Sequence, residues 1–196
     1  GLGKIRLVEE ARAGWLNGTG SKHRSWLETR GLSYETNHAY GMFQQLLRSL
    51  AGAAEGDPPA QVRQQLEAQL DLLPPPERQA ASRAFGADGE VGGLQGEALK
   101  RDLFDASLQL WRRRAEQGGV VMVFDDLHWA DPASVELLQH LLQLSDLGPT
   151  LFLCAFRGDR TAPSWKVKQL AETEYPHRYR EIMLRPLSAE FSQSLV

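Results

Sequence analysis

Cysteine is nearly missing from this chain. Cys154 is the single one in 196 residues, so no internal disulfide can form, and a reducing, cytoplasmic setting is the expectation. Long apolar runs are missing too. No stretch approaches the roughly 18 residues that a membrane span needs, and a membrane partner is not expected. No secretory leader is read at the start, where Gly1–Glu10 is glycine followed by charge alternating with apolar residues. An excess of one charge sign is also lacking. Lys and Arg number 22 against 25 Asp and Glu, a net charge of −3, which gives no general pull towards nucleic acid. Neither a helix-turn-helix signature nor a basic face is present, so direct nucleic-acid binding is not expected. The small cluster Lys22, His23 and Arg24 reads as a solvated turn. There is no internal repeat.

What remains is an ordinary globular composition, 42% hydrophobic and 24% charged, long enough for one domain over residues 1–196. Apolar spacing predicts helices over Lys4–Arg12, Ala39–Leu50, Gln61–Leu73 and Glu97–Glu116. Gly14 and Asn17–Gly20 are expected to end the first, and Pro74–Pro76 the third. Ser25–Leu32 reads as a strand. Residues 51–60 and 85–96, rich in Gly and Ala, read as flexible linkers or loop insertions. In the second half, Val120–Phe124 and Thr150–Phe156 are continuous apolar runs, suited to strands buried on both faces of a parallel sheet. Asp131 followed by Pro132 looks like an N-cap and a proline at the first helical position. A short helix over Ser164–Ala171, a strand over Glu181–Leu184 and a last helix capped by Ser188 complete the reading. Strands alternating with helices imply parallel βα units in a three-layer α/β fold.

Two segments carry chemistry. Gly1-Leu2-Gly3-Lys4 opens directly into a helix. Glycines let the backbone approach phosphate, a helix N-terminus offers unpaired N–H groups, and a lysine just inside it can reach the β and γ phosphates. This looks like the second half of a Walker A motif, whose first glycine would lie upstream. The motif wants Ser or Thr next, for a hydroxyl on Mg²⁺. Here Ile5 stands instead. Either metal is held without that position, or this copy is weakened; packing of Ile5 into the sheet is the competing reading. The second segment is VVMVFDD, Val120–Asp126, an apolar strand that delivers two carboxylates to its carboxyl end. In open α/β sheets ligands sit there. One strand-end acid can hold Mg²⁺ and the next can polarise a water, as in a Walker B motif.

The residues after it, LHWAD, continue into a Pro-started helix, PASVELLQHLL. His128 and Asp131 have only a superficial metal-ligand spacing. Packing of the loop by Trp129 and a hydrogen bond from His128 near the site are expected instead. Trp15, Trp26, Trp111 and Trp165 read as core or rim packing.

The segment DDLHWADPASVELLQHLL resembles the signal-transduction ATPases with numerous domains, a branch of the AAA+-like P-loop NTPases. Their ATPase modules accompany nucleotidyl cyclases, protein kinases and helix-turn-helix regulators in bacteria. GLGKIRLVEE resembles that family's GIGKSRLVEE. SWLETRGLSYETNHAYGMFQQLLR, LFLCAFRGDR and IMLRPLS resemble its second strand and helix, its arginine-ended strand and the strand before its helical lid.

The resemblance implies a P-loop fold binding ATP with Mg²⁺. By position, Gly1, Leu2, Gly3, Lys4 and Ile5 fall in the nucleotide loop, with Lys4 neutralising phosphate charge. Asp125 would hold the metal, Asp126 would handle the attacking water, and Arg157 would sense the γ phosphate. The fold is expected to be truncated at both ends, lacking the strand before the loop, the helical lid and the flanking effector and sensor domains. A segment so clipped is expected to be poorly stable and nearly inactive by itself.

Overall fold

The computed structural model describes residues 2–17, 24–33, 38–54, 56–71, 73–85 and 97–184. Three strands form a parallel sheet in the order β1 (Ser25–Arg30), β2 (Val120–Asp125) and β3 (Thr150–Cys154). Parallel neighbours need crossovers, usually through helices. Between β1 and β2 run α2 (Gly41–Ala51), α3 (Pro59–Leu70), α4 (Pro75–Phe85) and α5 (Glu97–Gly118). Between β2 and β3 run a 3-10 turn (Leu127–Trp129), α6 (Pro132–Leu141) and the short α7 (Leu144–Leu147). Helix α1 (Leu2–Asn17) precedes the sheet and α8 (Ser164–Glu174) follows it. This is an α/β arrangement built on a parallel sheet.

Strand β2 is central, and its five apolar residues, Val120 to Phe124, are all buried. Helix α2 lies against β1 and puts Met42, Phe43, Leu46 and Leu47 inside. The Phe43 ring meets Phe124 of β2 at 5.6 Å. Burial of each such side chain contributes roughly 1.5–3 kcal/mol. Val62, Leu66, Leu70 and Leu73, the apolar row expected of one helix, are all buried beside them.

Several elements differ from the sequence expectation, for identifiable reasons. Pro74–Pro76 does not merely stop α3. Pro75 opens α4, because proline at a helix start forfeits a hydrogen bond that is unmade there anyway. Helix α1 runs through Gly14 to Asn17. A Cβ at Gly14 would meet nothing, so the helix bears only the usual glycine penalty of about 1 kcal/mol. The α2 helix takes in Ala51 and closes on Gly52, whose φ of 72° is the left-handed cap glycine favours. Pro59 then starts α3. Of 85–96, Phe85 ends α4 and the remainder lies outside the described residues.

Strand β3 is not fully buried. Among the described residues it pairs with β2 alone, and Leu151 is 48% exposed. Glu181–Leu184 forms no strand: Ile182 and Met183 are 69% and 77% exposed. That segment's approach is held by side chains rather than by a backbone ladder. Arg178 donates to Asp146 at 2.9 Å and Lys168 reaches Glu181 at 3.1 Å. Ser188 and the helix expected after it lie outside the described residues.

Asp131 caps α6 as the sequence implies. Its Oδ1 accepts the Ser134 amide at 2.8 Å, with Pro132 at the first helical position. The same buried carboxylate accepts the amides of Tyr40 at 3.0 Å and Gly41 at 3.2 Å. One side chain therefore fixes the starts of both α6 and α2, and it ties α2 to the loop that follows the acidic pair.

Candidate functional site

The parallel register sets Arg30, the last residue of β1, directly beside Asp125, the last residue of β2. Asp126 then leaves the strand with φ 49° and ψ 39°. A left-handed turn at a non-glycine residue costs on the order of 1 kcal/mol, and Asp tolerates it better than most. The turn is held from both sides. Asp125 Oδ1 accepts the Asp126 amide at 2.9 Å. The amides of Gly31 and Leu127 donate to the carbonyls of Asp125 and Ala155, at 2.9 and 3.0 Å.

The carboxylate of Asp126 meets two cations. Arg30 donates to its Oδ2 from Nε at 3.1 Å and from Nη2 at 2.9 Å. Lys4, in the first turn of α1, brings Nζ within 3.7 Å of Oδ1. Asp125 Oδ2 lies 3.7 Å from Arg30 Nε. Partial burial pushes the Asp126 pKa up. The Arg30 hydrogen bonds, then the charges of Lys4, Arg30 and His128, outweigh that and hold it below the ordinary carboxylate value. The hydrogen bonds to Asp126, with the charges of both acids, raise the Arg30 pKa in turn.

Lys4, Asp125 and Asp126 thus converge, as the sequence implies. Gly3 and Ile5 belong to the same first turns of α1, whereas Gly1 lies outside the described residues. Ile5 is 44% exposed, so it is not packed into the sheet. Arg157 is exposed in the segment after β3, near enough for its charge to act on His128. The expected hydrogen bond from His128 is not found among the described residues: its Nδ1 and Nε2 are both shielded from solvent and have no partner there. Trp129 packs beside it at 5.1 Å and is itself 41% exposed. Among the described residues no three His, Cys, Asp or Glu side chains come together.

Two participants escape sequence reading. Arg30 is recognisable only from the strand register. Gly31 sits so close to the acidic turn that a Cβ would lie 2.6 Å from the Asp126 carbonyl oxygen and 3.1 Å from Trp129 Cβ.

The chain matches the AAA ATPase domain family over residues 1–153 of its 196. It belongs to that family. No curated protein and no solved structure matches it. Membership in the AAA ATPases implies a site for ATP, typically with a divalent cation. The donor set suits such a group under one condition. A hard cation such as Mg²⁺ needs only one or two carboxylates when phosphate oxygens and water complete its shell. Asp125 and Asp126 can supply them, and Ile5 offers no hydroxyl. No helix among the described residues is long and apolar enough to cross a membrane.

Proposed function

We propose that this AAA ATPase domain is a regulatory ATP switch of the signal-transduction class with numerous domains, found in bacterial cytoplasmic proteins. It would bind ATP with Mg²⁺, hydrolyse it slowly, and use nucleotide state to bias flanking effector and sensor domains of the same polypeptide. The observation that carries the site is the convergence of Lys4 on the carboxylate pair at the carboxyl end of β2. The class rests on the resemblance of DDLHWAD and its neighbouring segments.

The glycine loop, Gly1 to Gly3, and the start of α1 would cradle phosphate, with Lys4 neutralising β/γ charge. Asp125 would hold Mg²⁺, which when bound would neutralise charge between the phosphates. Asp126 would orient the attacking water, and Arg157 would approach the γ phosphate. For Asp126 to accept a water proton, its hold on Arg30 and Lys4 has to loosen, because both favour the charged, fully hydrogen-bonded carboxylate. Lys4 would turn to phosphate, which leaves Arg30 as the remaining partner.

A second reading is a degenerate scaffold with little nucleotide binding or hydrolysis. Ile5, exposed where a hydroxyl is wanted, favours it. The two separate on Asp126→Asn. A residue that acts on water in the transition state matters more to turnover than to affinity. The switch reading expects turnover to collapse with ATP affinity retained. Absence of any turnover in the parent protein supports the scaffold, and equal losses in both quantities reassign Asp126 to metal binding or folding.

A further inference from the structure

His128 occupies a position that its surroundings do not explain. It lies on the 3-10 turn directly after the acidic pair. Its ring is in the field of Asp126, Arg157, Lys4 and Asp125, and it acts in turn on Asp159 in the segment after β3. A neutral imidazole has one N–H to give and one lone pair to accept with. Here both nitrogens are covered and neither has a partner among the described residues. Buried polar atoms in folded proteins are nearly always paired, and an unpaired one carries a desolvation cost. The ring lies tilted against Trp129, centroids 5.1 Å apart, a contact that another aromatic side chain could also make.

We propose that His128 is a phosphate-contacting residue, whose imidazole N–H donates to an oxygen of the terminal phosphate of a bound nucleoside triphosphate. The inference rests on the nucleotide reading given above and adds to it a residue that distinguishes triphosphate from diphosphate. The surroundings select the ligand. Lys4 lies 3.7 Å from Asp126, beside Asp125, and the charge of Arg157 also acts on the ring. That charged company suits a phosphate and its cation, not a planar uncharged base. A metal-ligand role is the weaker use of the same ring, because a hard cation prefers oxygen donors. Contact requires the ring to turn out of its cover. That movement pairs a nitrogen that is unsatisfied in the resting arrangement, so the resting cost itself favours the bound arrangement.

The experiment compares His128→Phe with the parent protein. Thermal unfolding is measured without nucleotide, and ATP and ADP affinities are measured with Mg²⁺. Phenylalanine keeps the ring and removes both nitrogens. The expected result is an unfolding temperature equal to or above the parent's, ADP affinity unchanged, and ATP affinity reduced about tenfold, the scale of one hydrogen bond to a charged group. His128→Gln, which keeps a donor, should restore part of the ATP preference. A fall in unfolding temperature for His128→Phe overturns the proposal, since it would mean the nitrogens have partners in the resting fold. So does an unchanged ATP-to-ADP ratio. If Lys4→Ala abolishes ATP binding while His128→Phe leaves it intact, this inference alone fails. If the parent binds no ATP, the nucleotide reading fails with it.

Discussion

Arg30 grips Asp126 through two hydrogen bonds to a single carboxylate oxygen, at 3.1 and 2.9 Å, across the carboxyl ends of two neighbouring parallel strands. The residue proposed to handle water is therefore engaged by a neighbour in this arrangement. Replacing that neighbour should show it. In Arg30→Gln, the Asp126 pKa should rise towards the ordinary carboxylate value, because the guanidinium hydrogen bonds that hold it down are gone. A carboxylate with a depressed pKa adds stability above its unfolded pKa and loses it as pH falls through the folded one. The stability gap between parent and variant should thus be present at neutral pH and close in acid. Carbon-detected NMR titration of the Asp126 carboxyl reads the pKa directly. An identical pKa in both proteins would mean that the contact does not persist in solution.

Gly31 is expected to tolerate no side chain. An added Cβ would meet the backbone of the acidic turn at 2.6 Å, and backbone cannot step aside as a flexible side chain can. Gly31→Ala should cost roughly 1–3 kcal/mol, the usual penalty for overpacking. Denaturant unfolding checks this. An unchanged midpoint would show that the β1 terminus is looser than its hydrogen bond to Asp125 implies.

Ile5→Thr should strengthen Mg²⁺-dependent ATP binding or hydrolysis without unfolding α1. Ile5 is 44% exposed, so little packing is lost, and threonine is likewise β-branched. Titration of ATP at fixed and at zero Mg²⁺ makes the comparison. A folded variant with no gain would place the metal away from this position.

His140 predicts a pH dependence. It lies in α6 with its ring 5.2 Å from Phe104 and Nε2 buried without a partner among the described residues. Burial lowers its pKa, and the charge of Asp105 only partly opposes that. The unfolded chain then takes up a proton near the ordinary value of 6.5 while the folded protein resists. Stability should be whole above that pH and decline as pH falls below it. His140→Phe should flatten the decline in unfolding temperature between about pH 7 and 5, the span where an ordinary histidine titrates. An undiminished slope would assign the acid sensitivity to other groups.

Where the sequence speaks plainly, one dominant physical signal is present. The continuous apolar run of β2 can hardly be anything but a central strand, and Asp131-Pro132 marks a helix start by both cap and proline. Lys4 and the acidic pair stand out as a candidate site because their residue types are unusual at those places. The failures have the opposite character. Helix α4 begins in prolines and has few large apolar residues, so its period is faint. Glu181–Leu184 has the composition of a strand, yet a strand needs a neighbour; Glu181 pairs with Lys168, and Arg178, just before the segment, pairs with Asp146. Arg30 and Gly31 carry no motif at all. Their importance arises from strand register and from a close backbone approach, neither of which is a property of local sequence.

The central claim is an ATP site where the start of α1 faces the end of β2, and binding of a labelled ATP analogue tests it most directly. The titration is run with and without Mg²⁺, on the parent protein and on Lys4→Ala. The account predicts that nucleotide with Mg²⁺ binds more tightly than nucleotide alone. It further predicts that Lys4→Ala loses at least ~1.5 kcal/mol, or about tenfold in affinity, as befits one charge-assisted bond to phosphate. No binding at millimolar ATP, or binding indifferent to both Mg²⁺ and Lys4, would contradict it.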